Sequence, residues 1–170
     1  MRADTRFRVG DSFSYRKTDL YTKLEMQQRT ITITEITDTE VIYDNGRFIT
    51  DLLGNWLKRA DGARYTPHQD FIAEYSVGKK WTDRYRITWS DGSSSDVEYE
   101  HKVVSREKVT VPAGTFDAYR IEGDGWAFQA GVQLHHVRWI SSQVKRPIVF
   151  QDLRRKGGRA VFSERNELTA

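Results

Sequence analysis

Apolar and polar side chains alternate along most of this chain. That is the period-2 pattern of strands with one face in a core and the other in water. In "WTDRYRITW" (81–89), Trp81, Tyr85, Ile87 and Trp89 share one face, and Arg84, Arg86 and Thr88 the other. Asp83 is the one polar break in the apolar row. "VEYEHKV" sets Val97, Tyr99, His101 and Val103 against Glu98, Glu100 and Lys102. Ile31 and Ile33 alternate with Thr30, Thr32 and Thr34, β-branched residues that suit a pleated surface. No convincing amphipathic helix stands out. The best candidate, "HQDFIAEY" (68–75) after Pro67, allows a turn or two.

Turn chemistry punctuates the alternation. "YDNGRF" predicts a two-residue type I′ hairpin at Asn45-Gly46. "RADGAR" around Asp61-Gly62 and "RKGGRA" around Gly157-Gly158 have the same form, and "WSDGSSSD" (89–96) predicts a longer hairpin loop. In "VTVPAGTF" (109–116), Pro112 presets φ at position i+1 of a β-turn and Gly114 stands at its exit. A shift of 68 residues lays Val9-Gly10 on Val77-Gly78, Arg16 on Arg84, Val41 on Val109, Gly46 on Gly114 and Phe48 on Phe116. Residues 9–48 are therefore echoed at 77–116, with two tight turns in equivalent places.

A chain of 170 residues fits one domain, residues 1–170, and buries a normal core. The predicted fold is all-β: a single strongly curved antiparallel sheet, or open half-barrel, of about ten strands. No apolar run approaches the ~20 residues of a membrane-spanning helix, and "MRADTRFRVG" holds no signal-peptide core. The net charge is +3, with basic and acidic residues interspersed apart from "RRKGGR" (154–159). That balance gives no footprint for nucleic acid, and none is expected as a partner.

The absence of cysteine removes thiol nucleophiles and thiolate metal sites. His135 and His136 point to opposite faces of a strand and do not converge on one metal, and His101 joins one of them only through a tertiary contact. Asp117, Glu122 and Asp124 lie close in sequence, but "EGDGW" has the composition of a turn, so they are expected to be solvated. No nucleophile elbow or phosphate-binding loop is present. No catalytic residue, metal or cofactor is assigned on these grounds. The aromatic residues carry more information. Phe71, Trp81, Tyr85, Trp89, Trp126, Phe128 and Trp139 are the candidate ligand-binding residues, lining an apolar cavity, with segment 65–76 as its lid. A plain aromatic core is the competing reading.

Two stretches carry a resemblance. "VGKKWTDRYRI" followed by "EKVTVPAGTFDAYRIEGDG", residues 77–125, resembles a bacterial family of exported, often lipid-anchored domains of unknown function. Its members share a "VGxxW" strand and a "VxVPAGTF" turn. The resemblance implies a periplasmic or cell-envelope setting and an antiparallel fold similar to the open half-barrels of lipoprotein carriers. It supplies no catalytic residues. The resulting expectation is a non-enzymatic envelope scaffold that binds an apolar or amphipathic ligand. The alternatives are a protein–protein interaction module without a cavity and a hydrolase or lyase with a dispersed site. A hydrophobic ligand or an envelope protein is the expected partner.

Overall fold

Each predicted alternation is a strand in the structure, a computed structural model that describes residues 1–170. The strands are β1 (Ser12–Thr18), β2 (Glu25–Ile36), β3 (Glu40–Tyr43), β4 (Phe48–Asp51), β5 (Trp56–Lys58), β6 (Arg64–Tyr65), β7 (Lys80–Thr88), β8 (Ser94–Val111), β9 (Gly114–Ala127), β10 (Val132–Ile140), β11 (Val149–Lys156) and β12 (Arg159–Leu168). Each pairs antiparallel with its neighbour in sequence, and β1 pairs with β12. The sheet is therefore a closed twelve-stranded barrel, not an open half-barrel of about ten strands. Closure rests on Tyr15↔Leu168 through Thr18↔Arg165, a pairing of the two ends of the chain that no local pattern encodes. It also removes both sheet edges. The extra strands are the short β5 and β6.

The strand phases follow the alternation. On β7, Asp83 and Ile87 are buried and Trp81 and Tyr85, like Trp89 just after the strand, are partly so, while Arg84, Arg86 and Thr88 are exposed. The outward faces of β7 and β8 form a charged ladder: Arg84 pairs with Glu98 (2.8 Å) and Arg86 with Asp96 (2.9 Å).

The turns divide more finely than composition indicates. Gly157-Gly158 is a two-residue hairpin with φ of 56° and 75°. Pro112-Ala113 likewise links Val111 to Gly114. The Asn45-Gly46 turn instead spans four residues between Tyr43 and Phe48, because Asp44 also takes positive φ and its carboxylate accepts from the Thr32 N–H (2.9 Å). The shift of 68 matches the ends of β3 and β8, Tyr43 and Val111. The topology differs between the two stretches, since β2 and β3 fold back as a hairpin where β8 runs on through a bulge near Val104.

Two further expectations are corrected. "EGDGW" is not a turn but the interior of β9. Segment 65–76 forms no helix and is not a lid. Ile72 and Tyr75 are buried with Val103, Ile121 and Ile140, and the Met1 ammonium donates to the Tyr75 carbonyl (2.6 Å). The segment closes one end of the barrel as a floor, because its apolar residues find more burial inside the sheet than over it. The opposite end, where the turns after β1, β3, β5, β7, β9 and β11 gather, is the mouth.

The main core lies in the wall and toward the floor. Phe13, Tyr15, Ile31, Ile33, Val41 and Tyr43 pack with Val149 and Leu168. The tip of the β8–β9 hairpin reaches this cluster through Val111 and Ala118, and the Ala113 N–H donates to the Leu168 carbonyl (3.2 Å).

Candidate functional site

A barrel of twelve strands is wide enough to leave space inside. Here that space is a cavity of about 440 Å³, within the usual size range of ligand pockets. Only nine of its 25 lining residues are hydrophobic, so the expected apolar cavity is corrected to a polar one. The cause is visible on the strands: the inward row of β2 passes from Ile33 and Ile31 to Arg29 and Gln27 as it nears the mouth.

Seven lysine and arginine side chains line the lumen. Three have carboxylate partners. Arg138 pairs with Asp152 (3.0 Å) and lies 3.8 Å from Asp70, Lys17 pairs with Glu164 (2.9 Å), and Arg59 with Asp61. Burial works against the Arg138 charge, but Asp152 and Asp70 outweigh it and hold the guanidinium firmly protonated. The other four, Arg29, Arg47, Arg146 and Arg154, lie over aromatic rings. Arg29 sits 5.2 Å from the centre of Phe48, Arg47 5.9 Å from the same ring, and Arg154 4.4 Å from Phe162. Arg146 is 5.2 Å from Tyr43 and 5.6 Å from Trp56. It is 8% exposed, donates to the Tyr43 hydroxyl (3.1 Å), and its buried Nε has no partner. Burial, and then the nearby Arg146 charge, lower the pKa of Arg29. Two guanidinium groups thus face one lumen, and neither forms an ion pair, although the Glu164 charge acts on Arg29 in the opposite sense.

The buried histidines form the floor. His68 Nδ1 lies 3.0 Å from the Asp83 carboxylate and Nε2 3.1 Å from the Trp56 carbonyl. Both partners are acceptors, so both nitrogens must carry protons and the ring is a cation. Burial opposes this, but the Asp83 hydrogen bond and charge raise the pKa. The stabilisation is therefore fully present below pH ~6.5, the ordinary histidine value, and is lost as pH rises through the raised folded value. Urea unfolding of wild type and His68→Gln should show a larger stability gap at pH 6 than at pH 9. A gap independent of pH would mean a neutral ring.

His101 and His136 flank Gly123 in one row across β8, β9 and β10, and lean over it until Nδ1 and Nε2 are 3.1 Å apart. Burial depresses both and keeps them neutral. With Asp70 they place their ligand atoms within 4.8 Å of one another, a set that suits a tetrahedral cation in donor type. Asp70, however, already lies beside the Arg138 guanidinium, and the two rings are hydrogen-bonded to each other. We read the two rings as a hydrogen-bonded pair in the floor, beside which Asp70 Oδ1 and His101 Nε2 are buried without a hydrogen-bond partner.

The structure distributes the sequence-predicted residues widely. Phe71 and Tyr85 line the lumen. Trp81 stacks on His101 (4.8 Å) and donates to the Gln69 carbonyl (2.7 Å). Trp89 packs with Ala63, Ile87 and Val97. Trp139 belongs to the main core and donates to Glu107 (2.7 Å). Trp126 and Phe128 are 48% and 57% exposed, outside the barrel. Trp56, read from the sequence with the other tryptophans as a cavity residue, does line the lumen, whereas sequence reasoning missed Phe48, Phe150 and Phe162 together with the four arginines. A signal was available, since Arg29 shares the strand parity of Ile31 and Ile33.

No family model and no curated protein sequence matches this chain. Solved structures do share its fold. A protein described as exported, with a YmcC-like fold, from Bacteroides fragilis superposes with a TM-score of 0.62 at 10% identity, over 99% of this chain and 98% of that one. The hypothetical lipoprotein YmcC from Escherichia coli gives 0.59 at 10% identity, over 98% and 86%. A protein described as a lipoprotein from Parabacteroides distasonis gives 0.54 at 11% identity, over 95% and 94%. At these identities the likeness is one of fold.

Proposed function

We propose that this chain is a non-enzymatic envelope protein whose barrel lumen binds an amphipathic ligand with an anionic group. The observation that carries the reading is the pairing of aromatic rings with four arginines that have no carboxylate partner. A guanidinium is costly to bury without a counter-charge, and a carboxylate or phosphate presented by a ligand would supply one with bidentate geometry. The rings Phe48, Trp56, Phe150 and Phe162 would take the apolar part. The envelope setting is supported by the exported protein and lipoproteins that share the fold.

The test is titration of the native protein with a fluorescent polyene fatty acid. Saturable binding is expected, with displacement by a long-chain fatty acid but not by the alcohol of the same chain length. Equal displacement by both would remove the role of the arginines. Binding that appears only on partial unfolding would overturn the lumen site and favour a protein–protein interaction module.

A further inference from the structure

The mouth of the barrel is not uniform around its rim. Three hairpins follow one another there: β1–β2, β11–β12 and β9–β10. The first presents Tyr21 and Leu24 at its tip and Met26 just inside β2, at 59%, 68% and 58% exposure. The second presents Val161 and the third Phe128, each more than half exposed. The first two are held side by side, since Ser163 Oγ donates to Asp19 (2.9 Å). The other three turns on that side of the barrel (44–47, 59–63 and 89–93) expose no large apolar side chain. At the floor end the exposed apolar residues Val9, Leu52 and Val77 stand on separate segments.

The same sector is cationic. Lys23, Arg155, Lys156 and Arg159 are exposed, and none has a carboxylate partner. These four cations outnumber the acids of the two hairpins' tips, Asp19, which accepts from the N–H groups of Tyr21 and Thr22 and from Ser163, and Glu25, which accepts from Gln28. Exposed apolar tips beside unpaired cations match the interfacial layer of an anionic bilayer, where the tips enter the headgroup boundary and the cations meet lipid phosphates. A clustered apolar patch of this kind on a protein surface marks an interaction site. The outward ladder of β7 and β8 is charged, so the barrel wall is unsuited to lie within hydrocarbon.

We infer that this chain docks on anionic membrane surfaces through the mouth sector formed by the β1–β2, β11–β12 and β9–β10 hairpins, bringing the open end of the lumen to the lipid. The surface is separate from the lumen, and docking does not require that the lumen be occupied.

Flotation of the full chain with phosphatidylcholine vesicles, with and without phosphatidylglycerol, tests this. The protein is expected to float with the phosphatidylglycerol vesicles and to be released by salt. Lys156→Glu with Arg159→Glu, and separately Leu24→Ser with Met26→Ser, should each weaken the partition by about tenfold or more. Lys102→Glu with Lys108→Glu, the same charge change on the outer face of β8, should leave it unaltered. All four rim side chains are exposed, so thermal unfolding should be unchanged. No flotation with anionic vesicles, retention of binding in either rim variant, or an equal loss in the β8 control would each overturn the inference. The rim variants should keep fatty-acid binding in solution, which separates failure here from failure of the lumen reading.

Discussion

Gly125→Ala is expected to lower the stability of the barrel by about 3 kcal/mol, the upper part of the range for overpacking. Gly125 lies within β9, opposite Tyr99 on β8. A Cβ there would stand 2.2 Å from the Glu98 carbonyl oxygen and 2.8 Å from the Tyr99 ring. The ring could turn. The carbonyl belongs to the β8 backbone, and moving it disturbs the β8–β9 ladder from Val97 to Val103. Gly123→Ala is the instructive comparison, because its Cβ would meet side-chain atoms, His136 Nε2 at 2.2 Å and His101 Nδ1 at 2.9 Å. Those rings can shift at the cost of their mutual hydrogen bond, so the loss should be smaller. Urea midpoints with unchanged m-values decide this. A Gly125→Ala midpoint equal to that of wild type would mean that the strand accommodates the methyl by sliding.

Arg146→Met is expected to move stability and binding in opposite directions. Arg146 is a buried guanidinium with three aromatic neighbours, one hydroxyl and no ion-pair partner. Cation–π contacts contribute roughly 0.5–2 kcal/mol at such sites, against several kcal/mol for desolvating an unpaired charge. Desolvation wins, and the unbranched thioether fills similar space. The variant should be more stable by about 1 kcal/mol, since the repulsion on Arg29 is relieved as well. Its affinity for a fatty acid should fall about tenfold or more, the worth of a charge-assisted hydrogen bond, while affinity for the matching alcohol holds. Denaturation and titration of the same preparations give both numbers. A destabilised variant with unaltered fatty-acid affinity would assign Arg146 a structural role and take the anion away from this end of the lumen.

Much of this molecule was legible in its sequence. The alternation from Trp81 to Trp89 placed Asp83 and Ile87 inward and Arg84 and Arg86 outward, because strand side chains reverse with every residue and need no knowledge of distant partners. Gly157-Gly158 and Pro112-Ala113 announced hairpins because turn geometry is a property of two or three residues. "EGDGW" misled for the same reason. Glycine next to aspartate has the composition of a turn, yet Gly123 and Gly125 are small so that His136 and Tyr99 can lean across from neighbouring strands.

Closure was outside the reach of local pattern. Tyr15 meets Leu168 only when the whole meander has curled round, and a half-barrel with two open edges satisfies the same alternation. The lumen followed from closure. Arg29, Arg47, Arg146 and Arg154 are far apart in the chain and share no motif. They converge because a closed wall turns Arg29 and Arg154 inward and brings the connections that carry Arg47 and Arg146 to the same lumen. The period of side chains is local and chooses a face. Which side chains face one another across a barrel depends on strand number and register, and these are settled only by pairing the two ends of the chain.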